Sequence, residues 1–471
     1  GFGCDATNIY ANISVPDNIG RIGTSLYAEV FLKSQVEGCE ARATFVKVKQ
    51  STTSQYATPW SSFEEDGQLV LNVFRLAPRV AYKIQVQVRS KGNSTSRAVI
   101  LTEILDMPAT LWPFLDSGNM ATVEGDPTFE LLAIDVQAFS QAPVFDGFVI
   151  IDRDGDVVWL WNITTTYDSP DEGEFTSHSI DQRPGDYNLV MQSMIAERPI
   201  GVVSPFGILI EKLEWDPSCL IITHEARFNS DYTAAYTVKE IWGEFEGLTN
   251  PQIGDVVVSY DVATNSISEV MNLWDHFDPV TERGYLSNNG TANPNLETCN
   301  GTTANAYDWS HLNSVAVSKY DQSLIVSIRH LSTVCSFEAP PKSGLRWCVS
   351  SELPGRSNFT WIDDDDKFYD QHGVGQLANG NLYLFDNGNA RVEGGYNGGG
   401  ENSRGMEYEL DFDAWTIKKV WSVDTVYCSH EGNVSPHGDD GHFIIHVPNK
   451  GGDRRRMQDG GGGDNETLGG V

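Results

Sequence analysis

Short runs of alternating apolar and polar residues fill about the first hundred residues of the chain. Examples are "SLYAEVFL", "ARATFVKVKQ", "LVLNVFRL" and "YKIQVQVRS", and turn-forming residues separate them. A period of two residues is typical of strands with one buried face, and the short spacing favours an antiparallel sandwich. Residues 1–105 are therefore predicted to form a small N-terminal β-sandwich domain.

The pattern changes after a predicted linker at residues 106–118, within "LDMPATLWPFLDSG". From there on, the apolar residues follow strand periodicity with almost no helical periodicity. Four similar segments each carry a histidine near their start: His178, His224, His311 and His372. Repeats of several short strands are typical of a β-propeller, because one blade cannot bury both of its faces alone.

Residues 119–449 are therefore predicted to form a β-propeller, and the fold class is all-β. The first strand of each blade lines the central channel, so the four histidines are expected to converge on one axis. Residues 450–471 are rich in glycine and polar residues, which predicts a disordered tail. In the N-terminal part, "LAPRVAYKIQVQV" resembles the tyrosine corner of fibronectin-type domains, with Tyr82 opening a strand.

Charge excludes several classes of partner. The chain has 65 acidic and 32 basic residues, which gives a net charge of −33. Such a protein repels phosphate backbones and anionic membrane surfaces, so nucleic acid is not an expected partner. No apolar stretch reaches the length of about eighteen residues that a transmembrane helix requires, so none is predicted in this chain.

Glycosylation signals favour a secreted or cell-surface protein. The chain starts at Gly1 rather than at a methionine, as a processed or trimmed form does. Its N-x-[ST] sequons predict glycans at Asn12, Asn93, Asn162, Asn289, Asn300, Asn358, Asn433 and Asn465.

Seven cysteines permit three disulfides and leave one thiol over. Cys335 and Cys348 flank "SFEAPPKSGLRW", whose Pro-Pro and Ser-Gly pairs predict a hairpin turn. The two thiols are therefore predicted to pair across adjacent strands. No C-x-x-C spacing occurs, and no metal site is predicted.

Four motifs in order resemble the bacterial-type arylsulfate sulfotransferases: "DWSHLNSV" (308–315), "IVSIRHLSTV" (325–334), "QHGVGQLANGNLYLFDNG" (371–388) and "MEYELD" (406–411). The resemblance is strongest over residues 205–447. It implies a six-bladed propeller behind an N-terminal β-domain, and an enzyme that uses no nucleotide sulfate donor and no cofactor.

The resemblance also implies a two-step mechanism in which a histidine takes the sulfuryl group from a phenyl sulfate and passes it to a phenol. The nucleophile corresponds to His372, and the supporting positions correspond to His311, Asn313 and Arg329. A further histidine corresponds to His224, with His178 as a rival. Trp309 is expected to line the funnel for phenolic substrates.

These residue types suit the chemistry. A neutral imidazole has a lone pair available near neutral pH, because its ordinary pKa is about 6.5. Sulfuryl transfer places negative charge on the non-bridging oxygens and on the departing phenolate, so fixed donors such as Arg329, protonated His311 and Asn313 stabilise it. In an acidic protein, such a cluster makes a local positive well.

Other residues receive structural interpretations. His330 follows Arg329, so in a strand it points to the opposite face and is predicted to serve packing or hairpin structure. "DNG" at 386–388 and "DRDGD" at 152–156 predict hairpin turns, and the latter has a minor alternative as a calcium loop without its closing glutamate. Gly373 departs from bacterial members, which more often carry a larger residue there, so substrate identity stays open.

The leading hypothesis is a secreted enzyme that transfers sulfuryl groups from a phenolic sulfate donor to a phenolic acceptor. An alternative is an extracellular structural or binding glycoprotein on the same scaffold, in a homo-oligomer or larger assembly. A third is a hydrolase in which water replaces the phenolic acceptor.

Overall fold

A computed structural model of the chain describes most of its residues. The described ranges are 4–5, 7–16, 27–48, 55–93, 97–110, 115, 131–138, 145–162, 177–182, 189–193, 200–204, 209–213, 222–229, 231, 233–261, 263–264, 266–284, 292–297, 303–340, 342–391, 402–429, 431–437 and 442–447. Within them the protein is all-β, with strands and three-residue 3-10 turns as its regular structure.

Eight strands form two antiparallel sheets in the N-terminal part. They are β1 (Ile9–Ser14), β2 (Ala28–Ser34), β3 (Cys39–Lys47), β4 (Tyr56–Ala57), β5 (Ser61–Ser62), β6 (Gln68–Val73), β7 (Ala81–Ser90) and β8 (Ala98–Asp106). One sheet has the order β1-β2-β6, and the other has the order β4-β3-β7-β8 with β5 also on β3. Side chains from both sheets pack into one hydrophobic core.

A disulfide and a buried hydrogen bond stabilise this N-terminal core. Cys4 and Cys39 form a disulfide that the sequence did not single out. The fully buried Tyr82 accepts a hydrogen bond at its hydroxyl from the N–H group of Ala77, at 2.9 Å. This contact is the one that a tyrosine corner makes, as the sequence predicted.

The strands that follow form six further sheets. The first groups are β9 (Leu131–Ala138), β10 (Phe145–Asp152), β11 (Val157–Asn162), β12 (Ser177–Gln182), β13 (Leu189–Ser193), β14 (Ile200–Val203), β15 (Leu209–Leu213), β16 (Ile222–Phe228), β17 (Ala234–Gly243), β18 (Gln252–Asp261), β19 (Ser266–Asn272), β20 (Ala292–Glu297) and β21 (Thr303–Asp308). The later ones are β22 (Leu312–Val317), β23 (Leu324–Ile328), β24 (Thr333–Phe337), β25 (Leu345–Ser350), β26 (Thr360–Trp361), β27 (His372–Gln376), β28 (Leu382–Asp386), β29 (Ser403–Asp411), β30 (Thr416–Thr425), β31 (Asn433–His437) and β32 (His442–His446).

Four of these sheets contain four consecutive antiparallel strands, β12–β15, β16–β19, β22–β25 and β27–β30. Strands β18 and β21 pair in parallel, as do β26 and β30. The four histidine-containing segments of the sequence each supply the first strand of one four-stranded set. The interpretation of these segments as repeated strand units therefore agrees with the sheet topology.

The first strands are irregular where the histidines lie. The pairing of β16, β22 and β27 with the next strand shifts register at Thr223/Arg227, Leu312/Ser314 and His372/Gly375. Strand β22 contacts both β16 and β27. Because a bulge turns a side chain away from the regular alternation, these shifts allow side chains at the strand starts to meet.

Buried apolar side chains fill the space between neighbouring sheets. One cluster joins the β17 and β18 region to β22–β25, and a second joins β23–β25 to β27–β30. Cys335 and Cys348 pair across the β24–β25 hairpin, so the predicted disulfide is confirmed. Cys428 is a buried free thiol.

The sequons fall in different environments. Asn12, Asn93 and Asn358 are exposed, as glycosylation requires. Asn162 is fully buried at the end of β11, so the prediction of a glycan there is wrong because the side chain has no access to solvent. Asn433 is half-buried. The predictions for Asn289, Asn300, Asn465 and the tail at 450–471 lie outside the described residues.

In the described part of the chain, no helix is both long enough and apolar enough to cross a bilayer.

Replacing Tyr82 with phenylalanine should destabilise the N-terminal core. The change leaves the buried N–H group of Ala77 without its acceptor, which costs about 1–3 kcal/mol. Urea unfolding measures the loss. Tyr10→Phe is the matched control, because Tyr10 is 62% exposed and should change nothing measurable. Equal stability of the two variants would contradict the role of Tyr82.

Candidate functional site

His311 lies at the centre of a cluster of three imidazoles. The ring centroids of His224 and His311 are 4.9 Å apart, and His330 stacks on His311 with centroids 4.6 Å apart. The Nδ1–H group of His311 donates a hydrogen bond to Oδ2 of Asp308. His224 and His311, which the sequence assigned to one site, thus meet although they belong to different sheets. The side chain of the rival His178 lies outside the described residues.

Backbone conformation helps to aim these rings. His224 has a φ of 65° and His311 a φ of 48°, so both adopt the left-handed region that is uncommon for residues with a Cβ. Such conformations persist where the surrounding structure enforces them, and they cluster at functional sites.

Arg329 and His330 lie in a 3-10 turn, Arg329–Leu331, rather than in a strand. The expectation that His330 points away from Arg329 is therefore wrong, because the alternation of side chains applies only within a strand. Nε2 of His330 accepts a hydrogen bond from Nη1 of Arg329 at 3.0 Å, and Nδ1–H donates to the carbonyl of Asp308 at 2.9 Å. His330 is thus part of the cluster that the sequence analysis missed.

His330 is held in its neutral form. Burial lowers its pKa to about 3, although the Asp308 carboxylate acts in the other direction. A neutral imidazole is required for Nε2 to accept the bond from Arg329. Burial alone would raise the pKa of Asp308, but the hydrogen bond from His311 and the nearby Arg329 guanidinium hold it below its usual range.

Among the described residues, Arg329 has no carboxylate as a hydrogen-bond partner. It is 5% exposed, and its assigned hydrogen bonds go to two uncharged acceptors, the His330 imidazole and the Ser429 carbonyl, the latter at 3.1 Å. The nearby Asp370 is fully buried, and burial raises its pKa to about 8 although Arg329 opposes this. At neutral pH the guanidinium therefore lacks a hydrogen-bonded counter-ion within the described ranges, which suits a residue that attracts an anion.

His372 opens β27 and is 8% exposed. Its Nδ1–H group donates to Oδ1 of Asn387 at 2.7 Å, and its Nε2 accepts from the N–H group of Glu431 at 3.2 Å. The Asn387 bond selects the tautomer in which Nε2 carries the lone pair. Nε2 therefore carries the lone pair of this side chain.

A short stretch of chain lies between Arg329 and His372. We call its residues Cys428, Ser429 and Glu431 the closing segment. The carbonyl of Ser429 accepts from Arg329, and the N–H of Glu431 donates to His372. Nδ2 of Asn387 donates to the carbonyls of Cys428 and Glu431, both at 2.8 Å.

Asn387 is therefore a positioning residue rather than part of the hairpin turn that "DNG" predicts. It is fully buried and orients both His372 and the closing segment. An Asn-Gly pair in a hairpin turn and the Asn-Gly pair at this site look the same in the sequence. Sequence alone therefore could not distinguish a turn residue from a buried positioning residue.

Asn313 and Trp309 differ from the direct substrate contacts that the sequence suggested. Nδ2 of Asn313 donates to the carbonyl of Gln371 at 2.8 Å, which braces β22 against the residue before His372. Trp309 is fully buried, and its Nε1–H donates to the carbonyl of Glu282 at 2.8 Å. Trp309 therefore belongs to the hydrophobic core, and its assignment as a funnel-lining residue is wrong.

Gly373 has a φ of 56°, and a Cβ atom there would lie 2.9 Å from Cα of Asn433 and would also meet its Oδ1. The departure from bacterial members therefore has a local cause, because β31 approaches β27 too closely for a side chain at this position.

Asp308, His311 and His330 place one ligand atom each within 4.8 Å of one another, close enough to share a metal ion. Their hydrogen bonds argue against this use. Nε2 of His330 faces the Arg329 guanidinium and its Nδ1 carries a proton, so neither nitrogen offers a lone pair to a cation.

Residues 121–461 match the sequence model of the arylsulfotransferase (ASST) family. Arylsulfate sulfotransferase AssT of Escherichia coli O6:H1 is 28% identical over 134 residues, a match that covers 24% of this chain and 22% of that protein. The chain thus aligns with about a fifth of the length of this curated relative.

Solved structures give weaker likenesses. A protein from Lactobacillus plantarum aligns with a TM-score of 0.34 and 13% identity, over 82% of this chain and 97% of the other. The periplasmic gluconolactonase PpgL of Pseudomonas aeruginosa aligns with a TM-score of 0.33 and 11% identity, over the same shares of 82% and 97%.

Gly373→Ala should displace β31 from His372. The left-handed backbone and the clash with Asn433 together cost about 1–3 kcal/mol. Thermal unfolding detects the loss. The matched control is Gly355→Ala, because a Cβ atom at Gly355 meets nothing within 4 Å. If both variants have the melting temperature of the wild type, β31 does not approach Gly373 as closely as described.

His330 should stay neutral when the pH falls well below the ordinary pKa of histidine. The unfolded chain takes up a proton near pH 6.5 and the folded chain only near pH 3, so stability falls as the pH decreases between these values. Wild type should therefore lose about 1 kcal/mol per pH unit relative to His330→Gln between pH 6 and pH 5.

Urea unfolding of both proteins at each pH measures this difference. A wild type that loses no stability relative to His330→Gln would contradict the buried, neutral state of His330.

Proposed function

Because the chain belongs to the arylsulfotransferase (ASST) family, we propose that it transfers a sulfuryl group from a phenolic sulfate ester to a phenolic acceptor through His372. Two observations support the proposal: His224 meets His311, and the closing segment bonds to Arg329 through Ser429 and to His372 through Glu431. Asn387 in turn selects the tautomer in which Nε2 of His372 carries the lone pair.

The proposed architecture is a six-bladed propeller behind an N-terminal sandwich. Its support is the order in which strands contact each other: β9 meets β12, β12 meets β16, β16 meets β22, β22 meets β27, and β27 meets β31. These six strands belong to six sheets that follow one another along the chain. Such a series of inner strands is what a channel-lining arrangement requires.

In the first half-reaction, Nε2 of His372 attacks the sulfur of the donor. An S–N bond forms while the S–O bond to the phenol oxygen breaks. The departing phenolate takes a proton from His311 in its imidazolium form, which the Asp308 carboxylate supports. The bond from Nδ1–H of His372 to Asn387 stabilises the positive charge that develops on the sulfated imidazole.

In the second half-reaction, the oxygen of an acceptor phenol attacks the sulfur. Its proton returns to His311, the S–N bond breaks and His372 regains its lone pair. The step needs no cofactor, because the sulfated imidazole is itself the activated group carrier.

Negative charge on the sulfuryl oxygens is met by two kinds of donor. Arg329 brings a positive charge, and in the described part of the chain its hydrogen bonds go to His330 and to the Ser429 carbonyl rather than to a carboxylate. The N–H of Glu431, which now points at Nε2 of His372, is placed to donate to a sulfuryl oxygen once sulfur occupies the lone pair. In a chain of net charge −33, this local positive well is what admits an anionic donor.

The proposed setting is extracellular. The disulfides Cys4–Cys39 and Cys335–Cys348 persist in oxidising compartments. Glycans are proposed at the exposed Asn12, Asn93 and Asn358.

Replacing His372 with asparagine should abolish transfer between an aryl sulfate and a phenol. The variant lacks the nucleophilic nitrogen, so the rate of sulfated-acceptor formation should fall by about a thousand-fold or more. His276→Gln is the matched control, because His276 packs on Phe337 outside the cluster and should leave the rate unchanged.

Transfer at the wild-type rate by His372→Asn would refute the proposal. Release of the donor phenol without any sulfated acceptor would instead indicate a hydrolase. No turnover by wild type with any aryl sulfate would favour a scaffold without catalysis.

A further inference from the structure

Lys47 ends strand β3 in the N-terminal part of the chain, and its side chain crosses to a turn of the following part. The Lys47 side chain is 6% exposed, and its ammonium group lies against the hairpin turn between β10 and β11 at residues 152–156. The two segments are separated by 105–109 residues in sequence. This contact therefore joins the two-sheet N-terminal core to the first of the later sheets.

Three carboxylates meet the single ammonium group. Nζ of Lys47 donates hydrogen bonds to Oδ2 of Asp152 at 2.7 Å, to Oδ2 of Asp154 at 2.8 Å and to Oδ2 of Asp156 at 2.6 Å. An ammonium group has three N–H donors and no acceptor, so each proton finds one carboxylate. The donor capacity of Lys47 is filled by this turn alone.

The turn has the local geometry of a cation loop. Alternate residues point their carboxylates to one point, and Oδ1 of Asp152 accepts the N–H groups of Asp154 and Asp156 at 3.0 Å and 3.2 Å. Hard divalent cations such as Ca²⁺ are bound by carboxylate oxygens that alternate in this way. Here the central position is occupied by a cation from elsewhere in the same chain.

Charge explains why the contact is strong. Asp152 and Asp156 are almost fully buried, and without a cation their charges would repel each other in a poorly solvated place. Burial alone would lower the pKa of Lys47, yet the three carboxylates raise it above its usual range. Lys47 and the three aspartates therefore form one ion cluster. Neither β3 nor the turn at residues 152–156 supplies the opposite charge that its own buried groups need.

We propose that the turn at residues 152–156 is a divalent-cation loop whose cation position is filled by the ammonium group of Lys47, so that Lys47 docks the N-terminal sheets and masks a latent calcium site. The proposal is independent of sulfuryl transfer.

The test compares wild type with Lys47→Gln in the presence and absence of millimolar CaCl₂. Without Ca²⁺, the variant should melt below the wild type, because the buried carboxylates lose their counter-ion. With Ca²⁺, its melting temperature should rise by about 5 °C or more, whereas that of the wild type should not move. Isothermal calorimetry should detect Ca²⁺ binding by the variant alone.

Two further variants sharpen the result. Lys83→Gln removes an exposed lysine from the neighbouring strand β7 and should create no calcium response. Lys47→Gln combined with Asp154→Asn removes one ligand of the latent site and should lose most of the response.

A Lys47→Gln protein that binds no Ca²⁺, or one that melts with the wild type, overturns the proposal. If this variant does not fold in plain buffer, refolding is repeated with CaCl₂ and with KCl. Folding that occurs only with Ca²⁺ supports the proposal, and failure with both salts overturns it.

Discussion

The hydrogen bonds of the closing segment hold the candidate site together. Through Ser429 and Glu431 it contacts a guanidinium from one sheet and an imidazole from the next. Asn387 holds the closing segment in place, because its Nδ2 group donates to the carbonyls of Cys428 and Glu431. Arg329 lies in the 3-10 turn after β23 and His372 opens β27, so this bridge links two side chains that come from separate parts of the fold.

The electrostatic design follows from which groups are kept neutral. His330 is buried without a charge, so it accepts a bond from Arg329 and brings no negative charge to the guanidinium. Asp370 is also buried, with its pKa raised to about 8, so it adds little negative charge at neutral pH. Asp308 is the exception: its carboxylate bonds to His311, and the Arg329 guanidinium also lowers its pKa. Neutral His330 and Asp370 thus leave Arg329 as a buried cation beside the proposed anion site, inside a protein whose net charge is −33.

Sequence reasoning could identify the strand units, and it assigned His224 and His311 to one site because repeats place equivalent residues on a common axis. It failed where local geometry departs from the regular period: the 3-10 turn at Arg329–Leu331 brought His330 into the cluster. The prediction that Trp309 lines the funnel was wrong for another reason. An aromatic residue near a site can equally well pack in the core, as Trp309 does. The contact of Lys47 with residues 152–156 has no local signal, because its partners are joined only by the fold.

The identity of the atom that carries the sulfuryl group tests this account most directly. The protein would be incubated with an aryl sulfate in the absence of a phenol, kept at alkaline pH to preserve a sulfated imidazole, digested, and its peptides sequenced by tandem mass spectrometry. The account predicts one SO₃ unit, on His372. A label on another residue, or an unlabelled chain that nevertheless transfers sulfate to phenols, would contradict it.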